Sequence, residues 1–364
     1  MTTLRILLHV AAQRDYELCY LDFNTTFLQG SLHEEIWLRR PPGFTGSFPP
    51  GTQWSLRRPV YGLHQAPREW HDTLRTTLAA LGFAPSTADL SLFFRTDTTL
   101  PPFYIVYVDD LVFATADIAG LAHVKSELQK RHTSFSASTS HTPCLRPTPL
   151  STRHSLSALP SDESAEPGRH RPEHMDATKR VLRYLCSTSG MGLVLGGQGP
   201  VVLTGHADAS WVDDLATHRS SQGYTFSLGF GSVSWWSTRS SSVLSSSCEA
   251  EIYAWAMAAQ ELRWLTYLLT DLGEAPRSPL VLYVDNKAML ALCQEQRLEH
   301  RMKHIALRYF LARELQQRGQ LRLAYVATRA NTADIFTKAL QPCNHQRFCT
   351  MLGLVPTWPH LPTS

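Results

Sequence analysis

The sequence predicts an α/β protein built as two blocks joined by a polar stretch. Three observations carry that reading. The chain has 364 residues, 43% hydrophobic and 18% charged, which is enough apolar material for buried cores and enough length for two or three domains. Between the blocks, His132–Pro172 holds 20 Ser, Thr or Pro among its 41 residues and only five Phe or Leu. Such a stretch buries too little apolar surface to offset its ordering entropy, so a disordered linker is expected over 132–172. After it come three strand-like runs, a long helix, a strand, further helices, a strand and a short helix, the order of an α/β layered domain.

The elements follow in order. Thr3–Gln13 has helical spacing at Leu4, Leu7, Leu8 and Ala11. Glu17–Phe23 reads as a strand, Thr25–Leu32 as a short helix, and Trp70–Leu81 as a longer helix ended by Gly82. Phe103–Val108 and Leu111–Ala114 are apolar β-runs separated by Asp109-Asp110, a hairpin with two acids at its tip. In the second block Met175–Cys186 reads as a helix, and Val201–Ala207, Gly223–Leu228 and Ser232–Ser237 as strands. Ser246–Leu272 is a long helical pattern with apolar Ile252, Trp255, Ala256, Ala259, Leu262, Leu265 and Leu269. Leu280–Val284 is a strand, followed by a helix from Asn286, a helix over about Met302–Gln317, a strand Leu321–Val326 and a short helix Thr332–Ala339. The last residues, 341–364, are rich in Pro and His and predict a frayed tail.

Lys plus Arg is 34 against 31 Asp plus Glu, so any basic surface for a polyanion must be local. Seven cysteines lie scattered with no CxxC pair, which argues against a zinc ribbon. It also argues for reduced thiols in an intracellular, cytoplasmic or nuclear setting rather than a secreted one. No uncharged apolar run approaches the roughly 20 residues a bilayer needs, so no membrane partner is expected. Met1–Ala12 is apolar but lacks a small-residue cleavage site, and reads as a helix rather than a signal peptide.

Two sets of acids carry the chemistry. Asp22, Asp109 and Asp110 each stand at the end of a strand-like run. A Val-Asp-Asp alone is more often a solvated turn tip, but a third strand-end carboxylate suits a pair of Mg²⁺ ions. In the second block Asp208 and Asp285 close strands, Glu249 and Glu251 lie near the start of the long helix, and Asp334 opens the last one. Each is bland alone, since acids at helix starts complement the helix dipole. Four from distant segments, bordering the same sheet face, suit two-metal phosphodiester hydrolysis. Asp213 and Asp214 read as a solvated turn, and His206 lacks a second His at ligand spacing. Strand alternation places one ring of Trp235-Trp236 in the core and the other on the outer face.

The first block resembles the reverse transcriptase of copia-type LTR retrotransposons. The matching motifs are Leu21-Asp22-Phe23-Asn24-Thr25-Thr26-Phe27-Leu28-Gln29-Gly30, Pro41-Pro42-Gly43-Phe44, Val60 to Trp70, and Tyr107-Val108-Asp109-Asp110. The resemblance implies a polymerase palm over 1–131, with Asp22, Asp109 and Asp110 as metal ligands. It places Phe27 where the family's gate packs against the sugar and Gln65 over the incoming nucleotide. It also implies that fingers and thumb are largely missing, so polymerase activity is expected to be absent or very weak. The second block, about 200–340, resembles a retroelement RNase H domain, with 173–199 as a connection segment. The fold class implied is an α+β palm remnant followed by an RNase H-like α/β domain with a mixed five-stranded sheet.

Residue by residue, that second resemblance assigns Asp208, Glu251, Asp285 and Asp334 as metal ligands. Glu251 is preferred over Glu249 because it starts the apolar helical face and precedes Ile-Tyr-Ala. Lys303 of Lys303-His304-Ile305 is a candidate phosphate contact, and equally a solvated helix-start residue. The implied cofactor is Mg²⁺, two ions per active site, with Mn²⁺ as a substitute. The implied partners are an RNA–DNA hybrid, a primer–template and, if the palm is competent, deoxynucleotides. Two readings stay open from the residues: an enzyme fragment of a retrotransposon polyprotein, or a catalytically silent nucleic-acid-binding remnant or mis-joined gene model. Oligomeric state is not read from the sequence.

Overall fold

The computed structural model describes residues 1–23, 32, 34–39, 53–97, 99–107, 110–131, 135–140, 172–197, 201–214, 217–276, 279–294 and 306–356. The chain forms two compact units. One is Asp15–Thr142; the other joins Met1–Arg14 to Pro143–Ser364. This division differs from the sequence reading of 1–131 as one block, because the first helix, α1 (Thr2–Arg14), makes its home with the C-terminal unit.

The 15–142 unit is a six-stranded antiparallel sheet covered by two helices. Its strands are β1 (Glu17–Phe23), β4 (Phe83–Pro85), β5 (Leu92–Arg95), β6 (Phe103–Tyr107), β7 (Leu111–Thr115) and β8 (Phe135–Ser140), in the order β4-β5-β6-β7-β1-β8. A separate two-stranded ladder pairs β2 (Trp37–Leu38) with β3 (Trp54–Ser55). Helix α2 (Ala66–Ala80) presents Trp70, Leu74 and Leu78, and α3 (Ile118–Arg131) presents Leu121, Val124 and Leu128, each a stripe at helical spacing. Both stripes join Cys19, Leu21, Phe103, Ile105, Leu111 and Phe113 in one core. The alternate positions of the strands face that core, as the two-residue period requires. The strand β8 is a finding against the expected linker: its backbone pairs with β1 from Leu18↔Ser140 to Phe23↔Phe135. Edge pairing uses backbone groups alone, which explains why Ser and Thr suffice there.

The C-terminal unit is built on a mixed five-stranded sheet. Its strands are β10 (Leu203–Asp214), β11 (Arg219–Leu228), β12 (Gly231–Arg239), β13 (Leu280–Val284) and β14 (Leu321–Tyr325), in the order β12-β11-β10-β13-β14. The first three are antiparallel, while β10–β13 and β13–β14 are parallel. Before the sheet come α4 (Pro172–Thr188) and β9 (Met191–Leu193). The long helix α5 (Ser247–Asp271) packs on β10 and β11. It starts at Ser246, whose side chain accepts the Glu249 N–H. Shorter helices α6 (Lys287–Gln294) and α7 (Ala306–Gln317) follow β13.

Two expectations change here. The last acid-bearing segment is a 3-10 turn, Thr332–Phe336, not an α-helix, closed by i→i+3 bonds from Asp334 N–H to Asn331 and from Thr337 N–H to Asp334. The expected tail folds: α8 (Pro342–Met351) and β15 (Leu354–Pro356) extend the unit, and β15 pairs with β9. Phe348, Cys349, Leu352 and Leu354 share a buried cluster with Ile335 and Phe336, which is what orders this end.

One buried group makes the C-terminal unit acid-sensitive. His9 is fully buried, its Nδ1 accepts the Gly196 N–H at 3.0 Å, and its Nε2 has no partner among the described residues. Burial holds the imidazole down to about 4 from 6.5, against a weaker opposing pull from Glu274. The unfolded chain therefore takes up this proton first. The stabilisation is fully present above about pH 6.5 and drains away as pH falls towards 4, by at most on the order of 3 kcal/mol. His9→Met is expected to lessen the fall of Tm across that window, with His206, held down to about 4 by burial in the same unit, keeping its own share. Parallel parent and variant curves in a pH series of thermal melts would remove His9 as the cause.

Candidate metal centre

The site assembles at one end of the five-stranded sheet. Asp208 lies within β10, opposite Gly223 of β11, and Asp285 follows the last residue of β13, the parallel neighbour of β10. Glu251 occupies the second turn of α5, which packs on β10. These placements bring one carboxylate oxygen from each of Asp208, Glu251 and Asp285 within 4.8 Å of one another. Asp208 and Glu251 are buried and Asp285 half-buried. Oxygen Oε2 of Glu251 has no hydrogen-bond partner among the described residues.

Asp334, on the 3-10 turn, is not in the group within 4.8 Å and is tied to it through Lys338, which also bonds Asp208. Asn331 is fully buried and fixes this turn: its Nδ2 donates to the Ala207 carbonyl at 3.1 Å and its Oδ1 accepts the Ala333 N–H at 3.3 Å. A close approach to β11 completes the fit. A side chain at Gly223 would place its Cβ 2.8 Å from the Cβ of Phe336, so only glycine opposite Asp208 admits the turn. Lys338, one helical turn beyond Asp334, donates to Asp334 at 2.8 Å and to Asp208 at 2.9 Å. Thr337 donates its hydroxyl to the other Asp208 oxygen.

The electrostatics follow from this crowding. Burial, then the charges of Asp208 and Asp285, push the Glu251 carboxyl well above the carboxylate range, with Lys338 pulling the other way. Burial and Asp208 raise Asp334 as well, less strongly because Lys338 is bonded to it. Burial alone would lower Lys338, but Asp208 and Asp334 outweigh it and raise its ammonium above the usual lysine value. A cluster short of positive charge, with an unpartnered carboxylate oxygen, is chemically suited to hard divalent cations.

Glu249 has a different role. Its carboxylate accepts the Ser245 N–H at 2.7 Å and the Ser245 hydroxyl, while its own N–H goes to Ser246, a reciprocal cap of α5. Asp213 and Asp214 lie in a strand rather than a turn, Asp213 exposed as expected and Asp214 half-buried. They end β10, where Asp213 accepts the Ser221 N–H at 2.7 Å and Asp214 accepts Arg239 at 2.6 Å. Of the paired tryptophans, Trp236 stacks on Tyr224 with centroids 5.6 Å apart and Trp235 lies under the Arg5 guanidinium. His206 stacks on Tyr283 and is held well below its ordinary pKa by burial.

The first acid set is only partly described. The register Leu21↔Leu111 sets Asp22, on the β1 backbone, and Asp110 at the same end of neighbouring strands. Tyr20 bonds its hydroxyl to Asp110. Asp109, Phe27 and Lys303 lie outside the described residues, as does the expected helix over Thr25–Leu32 except for Leu32 itself. Gln65 stands at the N-cap of α2 without a side-chain capping bond. Lys338 and Asn331 are the residues that sequence reasoning passed over. The first was visible as an acid–base pair at i,i+4 with Asp334.

Residues 1–138 match the family described as reverse transcriptase (RNA-dependent DNA polymerase). Over 98% of its length the chain is 31% identical to the retrovirus-related Pol polyprotein from transposon RE2 of Arabidopsis thaliana. Over 97% it is 30% identical to the corresponding polyprotein from transposon RE1 of the same plant. The chain is a relative of the Pol polyproteins of copia-type transposons. It spans 29% of the RE2 polyprotein and 28% of the RE1 polyprotein. Among solved structures, the foamy viral protease-reverse transcriptase in complex with RNA/DNA hybrid is 13% identical, matching 93% of this chain and 47% of that one at a TM-score of 0.47. In this Pol relative the reverse transcriptase match ends near the β8 strand, and the carboxylate cluster lies wholly in the C-terminal unit beyond it.

Proposed function

We propose that the C-terminal unit is a ribonuclease H that cuts the RNA strand of an RNA–DNA hybrid. In this reading the 15–142 unit is a reverse transcriptase palm of weak or absent activity. The observation that carries it is the convergence of Asp208, Glu251 and Asp285 within 4.8 Å from two strands and a helix. Asp208, Glu251, Asp285 and Asp334 would hold two Mg²⁺ ions, with Mn²⁺ as a substitute. Bound there, the ions would supply positive charge to the scissile phosphate and a lowered pKa to the attacking water. The chain's own part is to hold the carboxylates rigid. Asn331 anchors the turn of Asp334, Gly223 lets that turn approach, and Thr337 fixes the rotamer of Asp208. Asp22, Asp109 and Asp110 would be the palm's metal ligands, with Phe27 and Gln65 at the nucleotide and Lys303 at phosphate. Primer–template and deoxynucleotides are the palm's partners in the same reading. Among the described residues no helix is long and apolar enough to cross a membrane, and the described cysteines are all free. An intracellular setting, cytoplasmic or nuclear, is the corresponding proposal.

The test is cleavage of a labelled RNA–DNA hybrid by purified protein with Mg²⁺ or Mn²⁺ and with chelator. Metal-dependent nicking of the RNA strand is expected; an inert parent protein would favour a silent nucleic-acid-binding remnant. Two side results are expected. Glu249→Gln should leave cleavage nearly intact and cost about 1 kcal/mol of stability through the weakened cap, whereas Glu251→Gln should be severe. Primer extension on poly(rA)/oligo(dT) should be absent or very weak, since positioning supplies much of a phosphoryl-transfer rate. Processive extension would overturn that part.

A further inference from the structure

Helix α1 is seated on the C-terminal unit by one face. Arg5, His9 and Ala12 stand at i, i+4 and i+7, so they form a single stripe. The Arg5 guanidinium lies 3.7 Å from the centroid of the Trp235 ring. Burial lowers it to about 10, with the charge of Glu261 pulling the other way. Glu261, on α5, accepts the Ser234 hydroxyl at 2.5 Å and a bond from Tyr224. One turn on, His9 accepts the Gly196 N–H. Gly196 has φ +90°, and a Cβ there would meet the Ala12 Cβ at 2.7 Å. Arg14 ends the helix 2.5 Å from Glu274.

We propose that the C-terminal unit carries a groove built for α1 and folds cooperatively with it, although residues 15–142, which lie between the two in sequence, form a unit of their own. The occupant is this chain's own first helix. Without it Glu261, half-buried beside Ser234 and Tyr224, loses a nearby positive charge. Trp235 loses its cover, and the Gly196 N–H loses its acceptor. Leaving buried polar groups unmatched is costly. The groove also decides the fate of α1, because a helix of 13 residues is marginal in water on its own. The polar anchors argue against chance burial: a cation over a ring, a buried hydrogen bond from a backbone N–H and a glycine-only contact sit on three successive turns.

Native-state hydrogen exchange on the full chain tests this with two core variants. Trp70→Ala opens the 15–142 core, and Val233→Ala loosens the C-terminal one; both side chains are fully buried. With Trp70→Ala, protection of β1 and β7 should fall by roughly a hundredfold or more, while α1 stays within about threefold of the parent. With Val233→Ala, α1 should lose protection by the same factor as β11 and β12, roughly tenfold. The result that overturns the proposal is α1 following β1 in the first variant, or staying fixed while β11 and β12 fall in the second. Complete unfolding of 15–142 by Trp70→Ala leaves the readout of α1 intact.

Discussion

Asp208→Asn is expected to lower hybrid cleavage by roughly a thousandfold or more, several kcal/mol of transition-state stabilisation. Asp208 is fully buried, and its two oxygens are held by Lys338 and Thr337. Asparagine preserves the shape but removes the charge that a pair of divalent cations requires. Asp285→Asn should have a comparable effect on rate. The two differ in stability without metal. Asp208→Asn gives up an ion pair with Lys338 while relieving repulsion on Glu251 and Asp334, and these oppose each other. For Asp285→Asn only relief acts on Glu251, so its Tm should hold or rise. Cleavage kinetics, Mg²⁺ titration calorimetry and matched melts decide it. Variants that cleave as well as the parent would end the two-metal assignment of these residues.

Lys338→Met should give the largest loss of metal-free stability among the site variants. Among the described residues Lys338 alone donates to both Asp208 and Asp334, whose side chains are 0% and 5% exposed. Removing a cation from buried acids costs about 3 kcal/mol or more, reduced here by the partial exposure of the lysine. For a unit of this size that corresponds to a drop of roughly 6–10 °C in Tm. The sign with metal is the sharper part. Saturating Mg²⁺ should raise the Tm of Lys338→Met more than that of the parent, because the ammonium no longer competes for the same oxygens. Equal metal-induced shifts in melts of both proteins would show that Lys338 is a surface lysine resting on the site.

Part of the site was legible because Asp285 follows a strand and Asp334 lies in the last turn, whereas Asp208, expected to close a strand at Ala207, stands in the middle of a β10 that pairs on to Asp214. The long helix was expected over Ser246–Leu272 and spans Ser247–Asp271, since its apolar period and its serine cap both act locally. What sequence could not show is set by tertiary contact. The strands Phe83–Pro85 and Leu92–Arg95 are too short to declare a period and exist through pairing, the first to the second and the second to β6. Residues 342–351 read as a tail by their Pro and His, yet Phe348 and Leu352, four apart, bury one face against the Asp334 turn. That turn is 3-10 rather than α because Asn331 and the Ser237 hydroxyl, bonded to the Phe336 carbonyl at 2.6 Å, pin it at both ends. The Arg5 and His9 contacts to residues some 190 to 250 positions away have no local signature at all.

The seating of α1 sets an order of events during synthesis. The helix ends at Arg14 and the last strand of its unit at Pro356, so roughly 340 residues separate them. At about 5–20 residues per second, α1 spends roughly 20–70 s outside the ribosome before its groove exists. The 15–142 unit has everything it needs long before then and can close in the interval. The nascent chain therefore carries a finished domain and an idle, apolar helix, with Ile6, Leu7 and Val10 uncovered. That waiting segment is where a chaperone would bind, and where a stalled or truncated product would be expected to aggregate.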